Sequence, residues 1–358
     1  MSEFVAYSIK QKKRILVAPL HWGLGHATRC IPIIKALIDN EFEPIIASDG
    51  VALSLLKKEF PNLETLELPS YNISYPKKGN QIKLKLLKNS FHILKTIKKE
   101  RRFIEKYIES TKVDGIISDN RFGIRHKSVP SVFITHQLKV LSGNTTWLSS
   151  KIHQSIIEKF DECWVPDHKG SYNLSGDLGH TQTKNLNVKY IGSLSRLQKQ
   201  NIKNAYDIMV LLSGPEPQRT TLEKKLIHEL THKEVSVIFI KGVIEADQYR
   251  KEINNITFYN FMTTDELETA INNSAIILAR SGYTTIMDLS KLEKKAFFIP
   301  TPGQFEQIYL AKKLMKDKIA PFCHQDEFTL DQLKSIDNYN GFTKINYKLD
   351  YKDLFSLF

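Results

Sequence analysis

Cysteine is scarce in this chain of 358 residues: Cys30, Cys163 and Cys323 lie far apart, and no CxxC pair occurs. A disulfide framework and a Cys-rich zinc site are therefore excluded as organising elements, and a reducing cytoplasm is the natural compartment. Long apolar runs are missing too; none approaches the roughly 18 residues a membrane span requires. The N-terminal stretch MSEFVAYSIKQKKR has neither a long apolar core nor a small-residue cleavage pattern, which argues against a signal peptide. Negative charge is in deficit, with 39 Asp and Glu against 51 Lys and Arg, a formal net charge of +12. That balance favours anionic partners (phosphates, nucleic acid or an acidic membrane surface) without choosing among them. Internal repeats and low-complexity segments are absent. At 41% apolar and 25% charged, the composition is that of a globular protein long enough for two domains.

Short apolar runs alternate with helical patterns. RILVAPL is nearly continuous in apolar residues, as a strand buried on both faces should be. CIPIIKALIDN (helix), FEPIIAS (strand), ALSLLKKEF (helix) and LETLEL (strand) follow, then DGIISD, VPSVFI, FDECWVP and NVKYIG as further strands. Residues 1–191 thus read as one Rossmann-like domain and the polar residues 192–206 as a linker. Residues 207–345 repeat the alternation from DIMVLLSG onward, and residues 346–358 form a tail expected to return to the first domain. The expected fold class is α/β, with two Rossmann-like domains facing across a cleft, the default ligand site. Residues 77–112 interrupt the pattern with twelve Lys or Arg against three Glu, and with apolar residues at helical spacing (Leu84, Leu87, Phe91, Leu94, Ile97, Ile104, Ile108). Such a helix can pack its apolar face on the sheet or lie on an anionic membrane surface.

Five stretches carry candidate chemistry. HWGLGHATR, residues 21–29, follows the first strand; its glycines put helix-start N–H groups where an anion or sugar can sit. It departs from G-x-G-x-x-G, since Thr28 takes the third position, and it lacks the GK[ST] of a Walker loop. His21 and His26 have no obvious third metal ligand, so no metal is expected. His26, at the helix start beside Gly25, can take a proton from a hydroxyl. SGPEPQRT offers Ser213 and Gly214 as room for a ligand and Arg219 for a phosphate. ARSGYTTIMD brings Arg280, Ser281, Gly282 and Thr284 to a strand end, with Asp288 a turn further on, where its carboxylate can hold a ribose diol. PTPGQFEQ supplies Gln304, Glu306 and Gln307 for sugar hydroxyls. In ISDNRFG, Asp119 closes a strand and can act as a base or position His26; Asn120 and the nearby His136 are acceptor-side candidates, as is His21.

Together these residues resemble glycosyltransferases of the GT-B fold, in the MurG-like and diacylglycerol galactosyltransferase-like group (family 28 type), over almost the whole chain. GLGHATR looks like the family's glycine-rich loop with its histidine, here His26. IGSLSR resembles the interdomain GNPVR segment, which would place Arg196 on the donor diphosphate. Phe261 and Met262 in NFMTTDELETA fall where the donor base is received. ARSGYTTIMD is similar to RSG-x-x-T-x-x-E, with Thr285 on the threonine and Asp288 on the ribose-binding acid. FEQIYLA is similar to QQ-x-x-NA, so Glu306 and Gln307 fall on the sugar-binding pair. Asp at 288, Glu at 306, Leu at 310 and SDNRFG in place of a second glycine-rich loop are departures that leave sugar and acceptor open and argue against the peptidoglycan step itself.

The resemblance implies an inverting, metal-independent transfer from a nucleoside diphosphate sugar, UDP-sugar first, to a hydroxyl of a lipid or lipid-linked acceptor. No cofactor is implied; the nucleotide sugar is a substrate. Either His26 or Asp119 would be the base, with helix N–H groups, Arg196 and Arg219 stabilising the leaving diphosphate. The compartment implied is the cytoplasm, with a peripheral position on the inner face of the plasma membrane if residues 77–112 dock there. A UDP-sugar 2-epimerase on the same fold is the alternative. A basic nucleic-acid binder is less favoured, and no nucleic-acid partner is expected, because no RNA or DNA module motif occurs.

Overall fold

A computed structural model describes residues 11–71, 82–183, 185–243, 245–343 and 349–358, without the side chains of residues 82–91. Among the described residues, seven strands form the first sheet: β1 (Arg14–Pro19), β2 (Glu43–Ser48), β3 (Thr65–Glu67), β4 (Gly115–Asp119), β5 (Ser131–Ile134), β6 (Glu162–Val165) and β7 (Val188–Tyr190). They are parallel, in the order β3-β2-β1-β4-β5-β6-β7. The second sheet holds β8 (Tyr206–Leu211), β9 (Val237–Ile240), β10 (Arg250–Ile253), β11 (Ile256–Tyr259), β12 (Ser274–Ala279) and β13 (Lys295–Phe298). Its order is β10-β11-β9-β8-β12-β13, parallel except for the antiparallel edge strand β10. Strand order reverses between β1 and β4 in one sheet and between β8 and β12 in the other. Crevices for ligands form at such switch points, outside the carboxyl ends of the strands.

Helices α1 (Gly25–Asp39), α2 (Gly50–Glu59), α3 (Ile82–Ser110) and α4 (Thr146–Ile157) belong to the first half. The second half contains α5 (Gln218–Leu230), α6 (Thr264–Asn272), α7 (Tyr283–Lys291) and α8 (Phe305–Lys316), and α9 (Tyr351–Leu354) closes the chain. One hydrophobic cluster runs without a break from β1 through Ile31 and Ile34 of α1 to Ile286 and Met287 of α7 and Ile271 of α6. Each aliphatic side chain removed from water there contributes roughly 1.5–3 kcal/mol, so α1 and α7 are held together by apolar burial. The end of the chain packs on the first domain. Phe355 meets Phe42 edge-to-face at 5.6 Å, Phe358 lies 6.2 Å from Trp164, and Lys13 Nζ donates to the Phe358 carbonyl at 2.5 Å.

Several features differ from the sequence reading. The segment expected as a linker over residues 192–206 has no helix or strand before β8 begins at Tyr206, yet it buries Leu194 and Leu197. The backbone amides of Gln198 and Gln200 donate to Glu268 at 2.6 Å and Asn272 at 2.9 Å, which binds the segment along α6. Two elements were unanticipated: α4, whose Trp147, Leu148 and Ile152 are exposed, and β10, a four-residue strand exposed throughout. The described half of α3 also turns differently from its apolar pattern. Ile104 faces inward as the pattern expects, but Leu94 is 57% exposed, and the polar Thr96 and Glu100 are buried instead. Glu100 is accommodated because it accepts from the Tyr71 hydroxyl at 2.6 Å and Arg121 at 2.8 Å. Residues 77–81 and the side chains of Leu84, Leu87 and Phe91 lie outside the described residues. No helix among the described residues is long and apolar enough to cross a membrane.

Candidate functional site

Three strand ends of the first sheet converge on one cluster. His26 occupies the first turn of α1, just after β1; Asp119 ends β4; His136 follows β5. His26 Nδ1 lies 3.0 Å from Asp119 Oδ1. Arg29, one turn along α1 and 2% exposed, donates through Nε to Asp119 Oδ2 at 2.6 Å and through Nη2 to Oδ1. The same guanidinium approaches His26 Nδ1 at 2.9 Å and His136 Nδ1 at 3.4 Å. His136 Nε2 is 2.8 Å from Glu306 Oε1 at the start of α8, and Gln137 donates to the other Glu306 oxygen. A continuous polar chain, Asp119–Arg29–His136–Glu306, therefore crosses from one domain to the other. Tyr283, the first residue of α7, stacks on the His136 ring at 4.2 Å and donates its hydroxyl to the Pro166 carbonyl at 2.9 Å.

The starts of α1 and α7 meet. Thr284 Oγ1 donates to the Gly25 carbonyl at 3.3 Å, and a Cβ at Gly25 would stand 2.9 Å from that hydroxyl oxygen, so glycine permits the approach. Neither helix start has a side-chain cap or an acidic residue in its first turn. By contrast, α6 has a full Thr263–Glu266 capping box. Two uncapped, positively polarised helix ends at one point are suited to an anion.

Charge in this cluster is set by burial against pairing. Burial pushes the His26 imidazole below its ordinary range, with Asp119 opposing and Arg29 and His136 adding to it, which favours the neutral ring. Burial alone would raise Asp119, but the charges and hydrogen bonds of Arg29 and His26 hold its carboxyl well below the usual range. Burial would likewise raise Glu306; His136 above all, then His26 and Arg29, keep it ionised.

The other expected residues are distributed more widely. Ser213 and Gly214 are exposed at the end of β8, and half-buried Phe261 and Met262 follow β11. Gly282 and Gln304 immediately precede α7 and α8, and Thr285 is half-buried on α7. Asp288 accepts from Ser195 Oγ at 2.6 Å, and burial raises its carboxyl to about 6 against the opposing effects of Ser195 and Arg196. His21 Nδ1 is 3.1 Å from Asp49 Oδ2, beside Arg121, and Asn120 sits in the left-handed region at φ 57°.

Some expectations require correction. Asp119 is 0% exposed with both oxygens occupied, so it cannot itself reach an acceptor hydroxyl. Arg219 is engaged by Glu216 and Glu223, and buried Arg280 donates to the carbonyls of Ile299, Pro300 and Gln218 and to Gln325. Both arginines brace loops rather than reaching for a phosphate. Ser281 Oγ donates to the Gln307 carbonyl at 2.8 Å, and Gln307 Oε1 accepts from the Thr301 amide at 2.8 Å; these side chains fix the start of α8. Arg196 lines a separate crevice with Pro32, Lys35, Glu59, Thr264 and Asp265. From His26 to Pro32, six residues of α1 correspond to about 9 Å along its axis. Arg29 and Tyr283 were missed as site residues. The three-residue spacing from His26 to Arg29 was a readable signal, because it puts both on one helix face; nothing local predicts that Tyr283 stacks on a ring of the other domain.

Residues 217–338 match the glycosyltransferase family 28 C-terminal domain. The chain is 24% identical, over 85% of its length and 83% of the relative's, to the UDP-N-acetylglucosamine--N-acetylmuramyl-(pentapeptide) pyrophosphoryl-undecaprenol N-acetylglucosamine transferase of Clostridium botulinum (strain Alaska E43 / Type E3). Among solved structures, MurG of Acinetobacter baumannii aligns over 92% of both chains with a TM-score of 0.53 at 16% identity. The glycotransferase of kitacinnamycin aligns over 91% of this chain and 89% of its own, with a TM-score of 0.60 at 12% identity. These likenesses establish the shared two-domain fold.

Proposed function

We propose that this chain, a glycosyltransferase of the GT-B fold carrying a family 28 C-terminal domain, moves a sugar from a UDP-sugar to a hydroxyl of a lipid-linked acceptor. One observation carries the reading: a histidine held by a buried carboxylate stands beside two converging, uncapped helix starts. With Nδ1–H donating to Asp119, His26 Nε2 accepts the acceptor's hydroxyl proton as the oxygen attacks the anomeric carbon. The bond from that carbon to the diphosphate oxygen breaks, and its electron pair leaves with UDP. Attack opposite the leaving group inverts the anomeric centre. Negative charge develops on the diphosphate, where N–H groups of residues 281–285 offer fixed dipoles and supply stabilisation without a metal. Asp288 is the candidate for the ribose diol, and Phe261 and Met262 for the base.

The acceptor side lies at the mouth formed by His136, Glu306 and α4. Phe305, 54% exposed, stands over Gly143 just before α4, whose Trp147, Leu148 and Ile152 are also exposed. No Asp or Glu occurs over residues 121–157. An apolar, acid-free face beside the cleft suits a lipid-bearing substrate at an anionic surface, and it adds to the basic segment over residues 77–112 a second candidate for membrane docking.

The test is a panel of nucleoside diphosphate sugars with lipid extract, read by nucleoside diphosphate release and by mass of the glycosylated lipid. UDP release that requires both one UDP-sugar and lipid is expected. Sugar isomerisation without net UDP release would sink the reading.

A further inference from the structure

Arg29 is a fully buried cation that touches no solvent-facing anion, and the reaction outlined above gives it no step. Its Nη1 approaches His136, while the other donors go to the partner of the histidine, and Nη2, 2.9 Å from His26 Nδ1, shares the Asp119 Oδ1 acceptor with that ring nitrogen. Nε and Nη2 take both oxygens of Asp119, the fork-on-fork arrangement that fixes a carboxylate plane as well as its charge. With Asp119 so held, Oδ1 remains 3.0 Å from His26 Nδ1. Because Arg29 and His26 are three residues apart on α1, the clamp and the ring move as one rigid piece.

We infer that Arg29 is a positioning residue for His26: it locks the Asp119 carboxylate so that Oδ1 selects the Nδ1–H tautomer and leaves Nε2 to the substrate. The Arg29 cation also neutralises Asp119 at short range. Without it, an uncompensated carboxylate beside the ring would hold the proton on His26 and remove the free base at neutral pH. The other groups facing the pair are Cys30 of α1, with Sγ 3.6 Å from Asp119 Oδ2, His136 after β5, Glu306 of α8, and Tyr283 of α7 stacked behind His136. None of them replaces the Arg29 fork. Glu306, the acid paired with His136, is a second anion and would pull in the same direction as Asp119.

The role in catalysis rests on His26 being the base, so the test reads the ring directly. Ring-nitrogen NMR of His26 across pH is compared in the wild type, Arg29→Gln and Arg29→Lys, alongside kcat against pH for each. The wild-type ring is expected as the Nδ1–H tautomer. In Arg29→Gln its midpoint should rise by about one pH unit or more, and the acid limb of the kcat profile should move with it while the donor KM stays within about twofold. In Arg29→Lys the charge survives without the fork: the midpoint should stay close to wild type, but the Nδ1–H tautomer should lose population and kcat should fall about tenfold. A wild-type Nε2–H ring overturns the inference, as does an unchanged midpoint in Arg29→Gln. If Arg29→Gln does not fold, an unchanged tautomer in Arg29→Lys overturns it. A midpoint that moves without the kcat profile following would leave the Arg29 clamp standing and refute His26 as the base.

Discussion

Two constellations of the same three residue types flank the loop after β1, and only one faces the other domain. His26, Asp119 and Arg29 form the first; His21, Asp49 and Arg121 form the second. In each, an imidazole Nδ1 meets a buried aspartate that is also bound by a buried arginine. They differ in where the arginine's remaining donors go. Arg29 continues to His136 and, through it, to Glu306 of the second domain. Arg121 turns back, to Glu100 of α3 and to the carbonyls of Pro19 and Pro69. The first constellation therefore reports on the cleft, while the second ties a loop, a helix and a strand end within one domain. A histidine–aspartate pair is not a catalytic dyad by composition; what its arginine reaches decides.

The contrast can be broken at both ends. The largest effect is expected for His26→Ala, which should lower kcat about a thousandfold while leaving UDP affinity nearly unchanged, measured by initial rates and calorimetry. Unchanged turnover would remove His26 from the mechanism. Next is Arg121→Met, which strands the buried carboxylates of Asp49 and Glu100 and should cost about 3 kcal/mol of stability, read as a lower urea midpoint. A soluble variant with the wild-type midpoint would contradict the internal-brace reading.

A smaller effect, of opposite sign, is expected at Asp288. Its folded carboxyl is raised to about 6 by burial, above the ordinary 3.8. The folded state therefore holds the proton more tightly than the unfolded one. Stability is lost as pH climbs through that window. Asp288→Asn should raise the melting temperature at pH 7.5 by an amount corresponding to about 1 kcal/mol, lose that advantage near pH 4, and weaken UDP binding. Equal melting curves at both pH values would refute the assignment. Least affected should be His21→Ala, with kcat within about threefold and stability within roughly 1 kcal/mol. A loss comparable to that of His26→Ala would erase the distinction between the two constellations.

Much of the α/β pattern was readable. Val17, Ile45, Ile46, Ile116 and Ile117 lie in short continuous apolar runs because their strands are buried on both faces, and that requirement is local. The helix α4 escaped notice because Trp147, Leu148 and Ile152 face outward, which removes the burial pattern that marks a helix. The buried Glu100 on α3 was equally illegible, since a glutamate in a Lys-rich helix reads as solvated until Arg121 and Tyr71 are seen beside it.

By itself, the sequence determined the alternation of strands and helices, the glycine at 25 that lets two helix starts approach, and the placement of His26 and Arg29 on one face of α1. These follow from burial, steric size and helical period, all of which act between near neighbours. Only tertiary structure decided that Asp119 is a buried partner rather than a solvent-accessible base, that Arg219 and Arg280 brace loops, and that His136 bridges Arg29 and Glu306. Those outcomes depend on which charges meet after the two sheets dock. Residues about ninety positions apart, such as Arg29 and Asp119, satisfy each other only when the folded chain excludes water from the space between them.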